Sequence, residues 1–174
     1  MPGEKIIRIV AENSEAELAR QRAMAEVSWA LREMTSNLMR VIRGAGKPGM
    51  IGQHTQAFIQ ALVSYRDAAG MMPSPEDLTE ILSVDEDPKI IAVLENPELR
   101  RVDAKQRIVR GALQLAASRL VGQKTQESAG EHEMYDGIIA IEALRDEGRR
   151  ERAQEPADRD GARRSARPPR KPRI

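Results

Sequence analysis

A chain of 174 residues is long enough for one domain with appendages, and its lack of cysteine excludes disulfides, thiolate catalysis and cysteine-ligated zinc. Only 2% of the residues are aromatic while 32% are charged, a composition that favours packed helices built on Leu, Ile, Val, Met and Ala over a sandwich or barrel. The formal net charge of +1 conceals a split: residues 161–174 hold six cations and no acid, and removing those six from the 28 basic residues leaves 22 against 27 acidic ones.

No apolar run approaches the roughly 20 residues of a membrane-spanning helix. The opening Met1-Pro2-Gly3-Glu4-Lys5 has no basic stretch followed by an apolar one, so it does not read as a secretory signal. The expectation is a cytoplasmic protein without membrane contact through a spanning segment.

Residues 5–10, Lys-Ile-Ile-Arg-Ile-Val, are β-branched and short, which suits a strand or extended arm over residues 1–13. An early turn of helix is the alternative. Ser14 and Glu17 form a capping box, and from there a helix is expected to run to Arg43, where Gly44-Ala45-Gly46 stops it. Met24, Val27, Leu31, Met34, Leu38 and Val41 recur at spacings of 3, 4, 3, 4 and 3. Such a heptad seam serves either intramolecular packing or a homo-oligomeric coiled coil. Trp29 lies off this seam, free for a second interface.

A second helix is expected over 52–69, with Phe58, Ile59, Leu62 and Val63 facing inward. Ser74-Pro75-Glu76-Asp77 combines a cap, a first-turn proline and early acids, so a short helix over 75–82 follows. Asp87-Pro88 opens another brief one to about Leu94. Asn96-Pro97 starts a long helix to Val121, with a heptad-spaced seam of Leu99, Val102, Gln106, Val109, Leu113, Ala116 and Leu120. Residues 122–130, GQKTQESAG, read as a linker. A last helix over 131–150 carries Met134, Ile138, Ile141 and Leu144. The helical domain thus covers 14–150, and 151–174 has too few aliphatic residues for a core and reads as a disordered tail.

No catalytic, metal or cofactor signature emerges. Arg43-Gly44-Ala45-Gly46-Lys47-Pro48-Gly49 superficially resembles a phosphate loop, but Met50 follows Gly49 and a helix precedes it, so the Walker pattern fails. Glu131-His132-Glu133 places adjacent side chains that diverge on a helix, and His54 has no acid or nucleophile nearby in sequence. Glu76, Asp77, Glu80, Asp85, Glu86 and Asp87 form the densest acidic patch, either a solvated surface or a dock for a basic partner, the chain's own tail included. A helix-turn-helix over 53–82 is disfavoured because its reading helix would be acidic.

What remains is basic charge. Arg163, Arg164, Arg167, Arg170, Lys171 and Arg173 in the tail suit phosphate neutralisation by counterion release. Arg100, Arg101 and Lys105, with Arg107, Arg110 and Arg119, give the long helix a basic surface. The alternatives for the tail, ranked behind nucleic acid, are an acidic protein or membrane surface, a polyproline ligand through Pro168-Pro169 and Pro172, or a solubilising end. The expectation is an all-α bundle of five or six helices, two of them long. It would be a homo-oligomeric, non-enzymatic accessory protein binding nucleic acid; a protein–protein adaptor is the alternative.

Overall fold

The computed structural model describes residues 2–83 and 88–154, and its elements are all helical. They are α1 (Pro2–Ile42), a single 3-10 turn (Pro48–Met50), α2 (Ile51–Ala69), α3 (Pro75–Ile81), α4 (Pro88–Ile91), α5 (Pro97–Val121) and α6 (Lys124–Gln154). The chain is a helical bundle built from two hairpins: α1 packs on α2, and α5 on α6. The short α3 and α4 rest against α5 and α6 respectively.

One core unites both hairpins. Val27, Leu31, Met34 and Leu38 of α1 join Phe58 and Leu62 of α2, Leu78 of α3, Ile108 and Leu115 of α5, and Met134, Ile138 and Ile141 of α6. A satellite of Ile91, Leu94 and Leu144 seats α4 on α6. Burying each of these aliphatic side chains contributes about 1.5–3 kcal/mol relative to exposure, which compensates for the scarcity of aromatic rings. Thr35, Thr55 and Ser118 are buried hydroxyls, and each donates to the carbonyl four residues earlier, at 2.8, 2.8 and 2.7 Å. They therefore enter the core without an unmet donor.

Local chemistry sets several boundaries as the sequence suggests. Ser74 Oγ accepts from the amide of Asp77 at 3.1 Å and starts α3. Gly122, at φ 72°, closes α5 in the left-handed region that favours glycine.

Five expectations are corrected. Residues 5–10 are neither strand nor arm, because α1 already begins at Pro2. The Ser14–Glu17 capping box therefore lies inside a helix, where Glu17 pairs with Arg20 and accepts from Gln21 instead. The linker over 122–130 reduces to Gly122 and Gln123, since α6 starts at Lys124. Of its small residues Gly130 is buried against α5, while Gly122, Ser128 and Ala129 are exposed.

The seam assigned to α5 is rotated from the real one. Val109 and Ala116 of that seam are buried and Leu113 packs beside them, but Leu99, Val102 and Leu120 are 71%, 38% and 49% exposed, whereas Ala104, Ile108, Gly111, Ala112, Leu115 and Ser118 are buried. Small residues mark the buried face here because they let two backbones approach closely. A pattern weighted toward large apolar side chains points to the wrong stripe. Finally, α6 extends to Gln154, so residues 151–154 are helical, and the expected tail beyond them lies outside the described residues.

Candidate functional site

Glu76 and Glu80 of the acidic patch face Arg101 and Lys105 of the basic helix. α3 packs along α5, and the groove between them is lined by Glu76, Thr79 and Glu80 on one side and Arg101, Lys105 and Gln106 on the other. This groove encloses about 370 Å³, and a smaller recess of about 180 Å³ at Pro75, Thr79, Gln106 and Arg110 shares its walls. Opposite charges lining one cleft favour neither a polyphosphate nor a strongly basic ligand, because each wall offsets the other's field. Asp85, Glu86 and Asp87 lie outside the described residues.

The other cations of α5 also have carboxylate neighbours. Arg100 donates to both oxygens of Glu147, at 3.3 and 2.7 Å. Arg101 pairs with Glu98 at 3.3 Å, Arg107 with Asp103 at 3.3 Å, Arg110 with Glu133 at 3.3 Å and Arg119 with Glu127 at 3.7 Å. The hydrogen bond from Arg100 is the main cause that holds the Glu147 carboxyl below its ordinary value, and Glu147 in turn raises Arg100. Exposed pairs of this kind are each worth little in stability. Their effect on the local charge is larger: the positive face expected of α5 is balanced within the bundle.

The glycine-rich turn after α1 is committed to the helix end. The amides of Ala45 and Gly46 both donate to the carbonyl of Arg40, at 2.8 and 2.9 Å, and the amide of Gly44 donates to that of Val41 at 3.0 Å. Amides pointed back into α1 are not a phosphate cradle. Next to this turn, Arg43 donates through Nε and Nη2 to the two carboxylate oxygens of Glu142, at 2.9 and 2.5 Å. Arg145 reaches the same carboxylate at 3.5 Å. This cluster ties the end of α1 to α6.

His132 is exposed on α6, and its Nδ1 lies 2.6 Å from the carbonyl oxygen of Ser128. Its neighbour Glu133 points to Arg110 instead. His54 sits half-buried in the first turn of α2. Among the described residues no three His, Asp or Glu side chains converge on a point where a metal ion would sit.

The α1 seam named for a homo-oligomer is occupied within the chain. Val27, Leu31, Met34 and Leu38 are at most 1% exposed in the bundle core, while Met24 and Val41 are half-buried beside it. It offers no open face to a second copy. The open apolar surface lies elsewhere on α1: Trp29 is 64% exposed and borders a shallow groove of about 600 Å³, with Ala25 and Ala30 on α1 and Ala57, Ala61 and Ser64 on α2. Sequence reasoning placed Trp29 off the seam but missed the groove. Its signal was the run of small residues at 57, 61 and 64.

Arg163, Arg164, Arg167, Arg170, Lys171 and Arg173 lie outside the described residues. No helix among the described residues is long and apolar enough to cross a membrane. No known protein family, curated protein or solved structure matches this chain.

Proposed function

We propose that this chain is a non-enzymatic, nucleic-acid-associated accessory protein whose phosphate contacts are made by the six cations between Arg163 and Arg173. The helical bundle serves as a charge-balanced platform. One observation carries this reading: Arg100, Arg101, Arg107, Arg110 and Arg119 each have a carboxylate at 2.7–3.7 Å. The positive charge in excess of acid is therefore concentrated in the sequence after residue 160. Flexible or not, six closely spaced cations bind a phosphate backbone by releasing counterions, without reading bases.

The test is a full-length chain with all six cations replaced by Gln, compared with the parent on a random-sequence duplex across a salt series. The parent is expected to bind with a log–log slope of about −5, the value for roughly six neutralised phosphates. The substituted chain is expected to lose both affinity and slope. Equal binding by the two chains would refute the proposal.

The second reading, a protein–protein adaptor, is favoured by a separate observation, the exposed Trp29 beside its apolar groove. Exposed tryptophan at the edge of a groove is the residue type that most often anchors interfaces. An adaptor would recover its partner with little dependence on salt, which separates the two readings.

A further inference from the structure

α1 is longer than anything it packs against. It spans 41 residues, about 60 Å at the helical rise, whereas its hairpin partner α2 spans 19, about 28 Å. From residue 14 onward, burial on α1 begins at Ala23, and residues 14–22 are all exposed. An isolated helical stretch shorter than about 12–15 residues is marginal in water, so this exposed stretch gains from being covered.

The uncovered portion has a pattern of its own. Ile7, Leu18 and Trp29 recur every 11 residues, three helical turns, so they fall on one stripe of α1. Leu18 is 48% and Trp29 64% exposed. Small residues, Ala11, Ser14 and Ala25, lie between them on the same stripe. This stripe is on the side of α1 opposite Val27, Met34 and Leu38, which enter the core. The spacing is also symmetric about Leu18: reading outward in either direction gives steps of four, three and four residues to positions 14, 11 and 7 or to 22, 25 and 29.

We propose that this stripe pairs antiparallel with the same stripe of a second copy, centred on Leu18. In that register Leu18 meets its counterpart, Ala11 meets Ala25, and Ile7 meets Trp29. The charge order fits only the antiparallel sense. Glu15 and Glu17 precede Arg20 and Arg22 along the helix, so an antiparallel copy sets the acidic turn of one against the basic turn of the other. A parallel, in-register copy would set like charge on like.

The bundle also leaves room for this arrangement. Ala23, the first buried residue of α1 from residue 14 onward, faces position 13 of the partner, so the two cores sit at opposite ends of the paired helices. The segment of the partner that then runs over the Trp29 groove is its residues 6–10, Ile-Ile-Arg-Ile-Val. An apolar groove beside an exposed indole and an aliphatic run otherwise without an assigned role thus meet by register. Small residues on both sides, Ala25, Ala57 and Ala61 among them, allow the close approach.

The experiment uses the full chain. Sedimentation equilibrium is expected to give about twice 19.4 kDa, falling to the monomer mass for Leu18→Glu. Because Leu18 is exposed, this change spares the core. Because the chain has no cysteine and one tryptophan, two further readouts are clean. Leu18→Cys is expected to form a disulfide with itself, whereas Trp29→Cys is expected to link to an Ile7→Cys chain and not to another Trp29→Cys chain. Trp29 emission is expected to shift to shorter wavelength as the dimer forms. A monomer mass at all concentrations overturns the proposal, as does a Leu18→Glu chain that keeps the dimer mass. A monomer with red, solvent-exposed Trp29 emission would leave the face to a different protein. A monomer with blue emission would assign the groove to the chain's own C-terminal segment. Both outcomes refute the dimer. None of these readings depends on what the C-terminal cations bind.

Discussion

Gly111 of α5 and Gly130 of α6 meet backbone to backbone: a Cβ at position 111 would stand 2.6 Å from the carbonyl oxygen of Gly130, and one at 130 would stand 2.8 Å from that of Gly111. Gly137 repeats the contact one heptad later, 2.8 Å from the carbonyl oxygen of Ala104. The α5–α6 hairpin is therefore a close-packed pair in which the absence of side chains sets the separation of the helices. Methylene-scale overpacking of such a contact costs about 1–3 kcal/mol.

Gly111→Ala is accordingly expected to destabilise the bundle by about that amount, lowering Tm by about 2–4 °C for each kcal/mol in a domain of this size. Gly52, in the first turn of α2, is exposed with nothing within 4 Å of its Cβ position. Gly52→Ala is expected to be neutral or to stabilise by up to about 1 kcal/mol through helix propensity alone. Thermal unfolding of the two variants side by side checks both signs.

Glu142 is the joint between the hairpins, since it accepts from Arg43 at the end of α1 and pairs with Arg145 on its own helix. Its side chain is only 17% exposed. Removing a half-buried carboxylate that meets two guanidinium groups is expected to cost about 1–3 kcal/mol. In a double-mutant cycle, Glu142→Ala and Arg43→Ala should show a coupling of order 1 kcal/mol. Urea midpoints of the four chains measure it.

The pair Arg100–Glu147 fixes a pH dependence. The hydrogen bond from Arg100 holds the Glu147 carboxyl below its ordinary 4.5 in the folded chain. A carboxyl depressed on folding adds stability above its unfolded value and loses it as the pH falls through the folded one. The contribution is thus complete at neutral pH and disappears below 4.5. Glu147→Gln is expected to lower stability slightly at pH 7 and to narrow the difference from the parent in acid. Urea unfolding at both pH values tests the sign; a gap that widens in acid would contradict it.

Much of the fold was legible because its boundaries are written in local chemistry. Ser74 with Pro75, Asn96 with Pro97, and Gly70 and Gly122 mark helix ends that the structure keeps within a residue or two. What misled was tertiary. Ser14 and Glu17 have the form of a start signal, yet α1 continues through them. Gly130 and the polar residues before it resemble a loop, whereas the glycine is demanded by the backbone of α5. The same bias toward large side chains rotated the expected α5 seam away from Ala104 and Gly111. At the level of the site, the sequence offered an acidic patch and a basic helix as two separate surfaces. Their meeting across the α3–α5 groove depends on how α3 docks, which no local pattern encodes.

The most direct measurement compares three full-length chains on the same random-sequence duplex: the parent, the chain with its six C-terminal cations changed to Gln, and a chain carrying Arg100→Gln, Arg107→Gln and Arg110→Gln. The α5 chain is expected to bind within about twofold of the parent with an unchanged salt slope, and the C-terminal chain to lose binding. Loss of binding in the α5 chain with retention in the C-terminal one would contradict the proposal, because α5 would then supply the phosphate contacts despite its carboxylate partners.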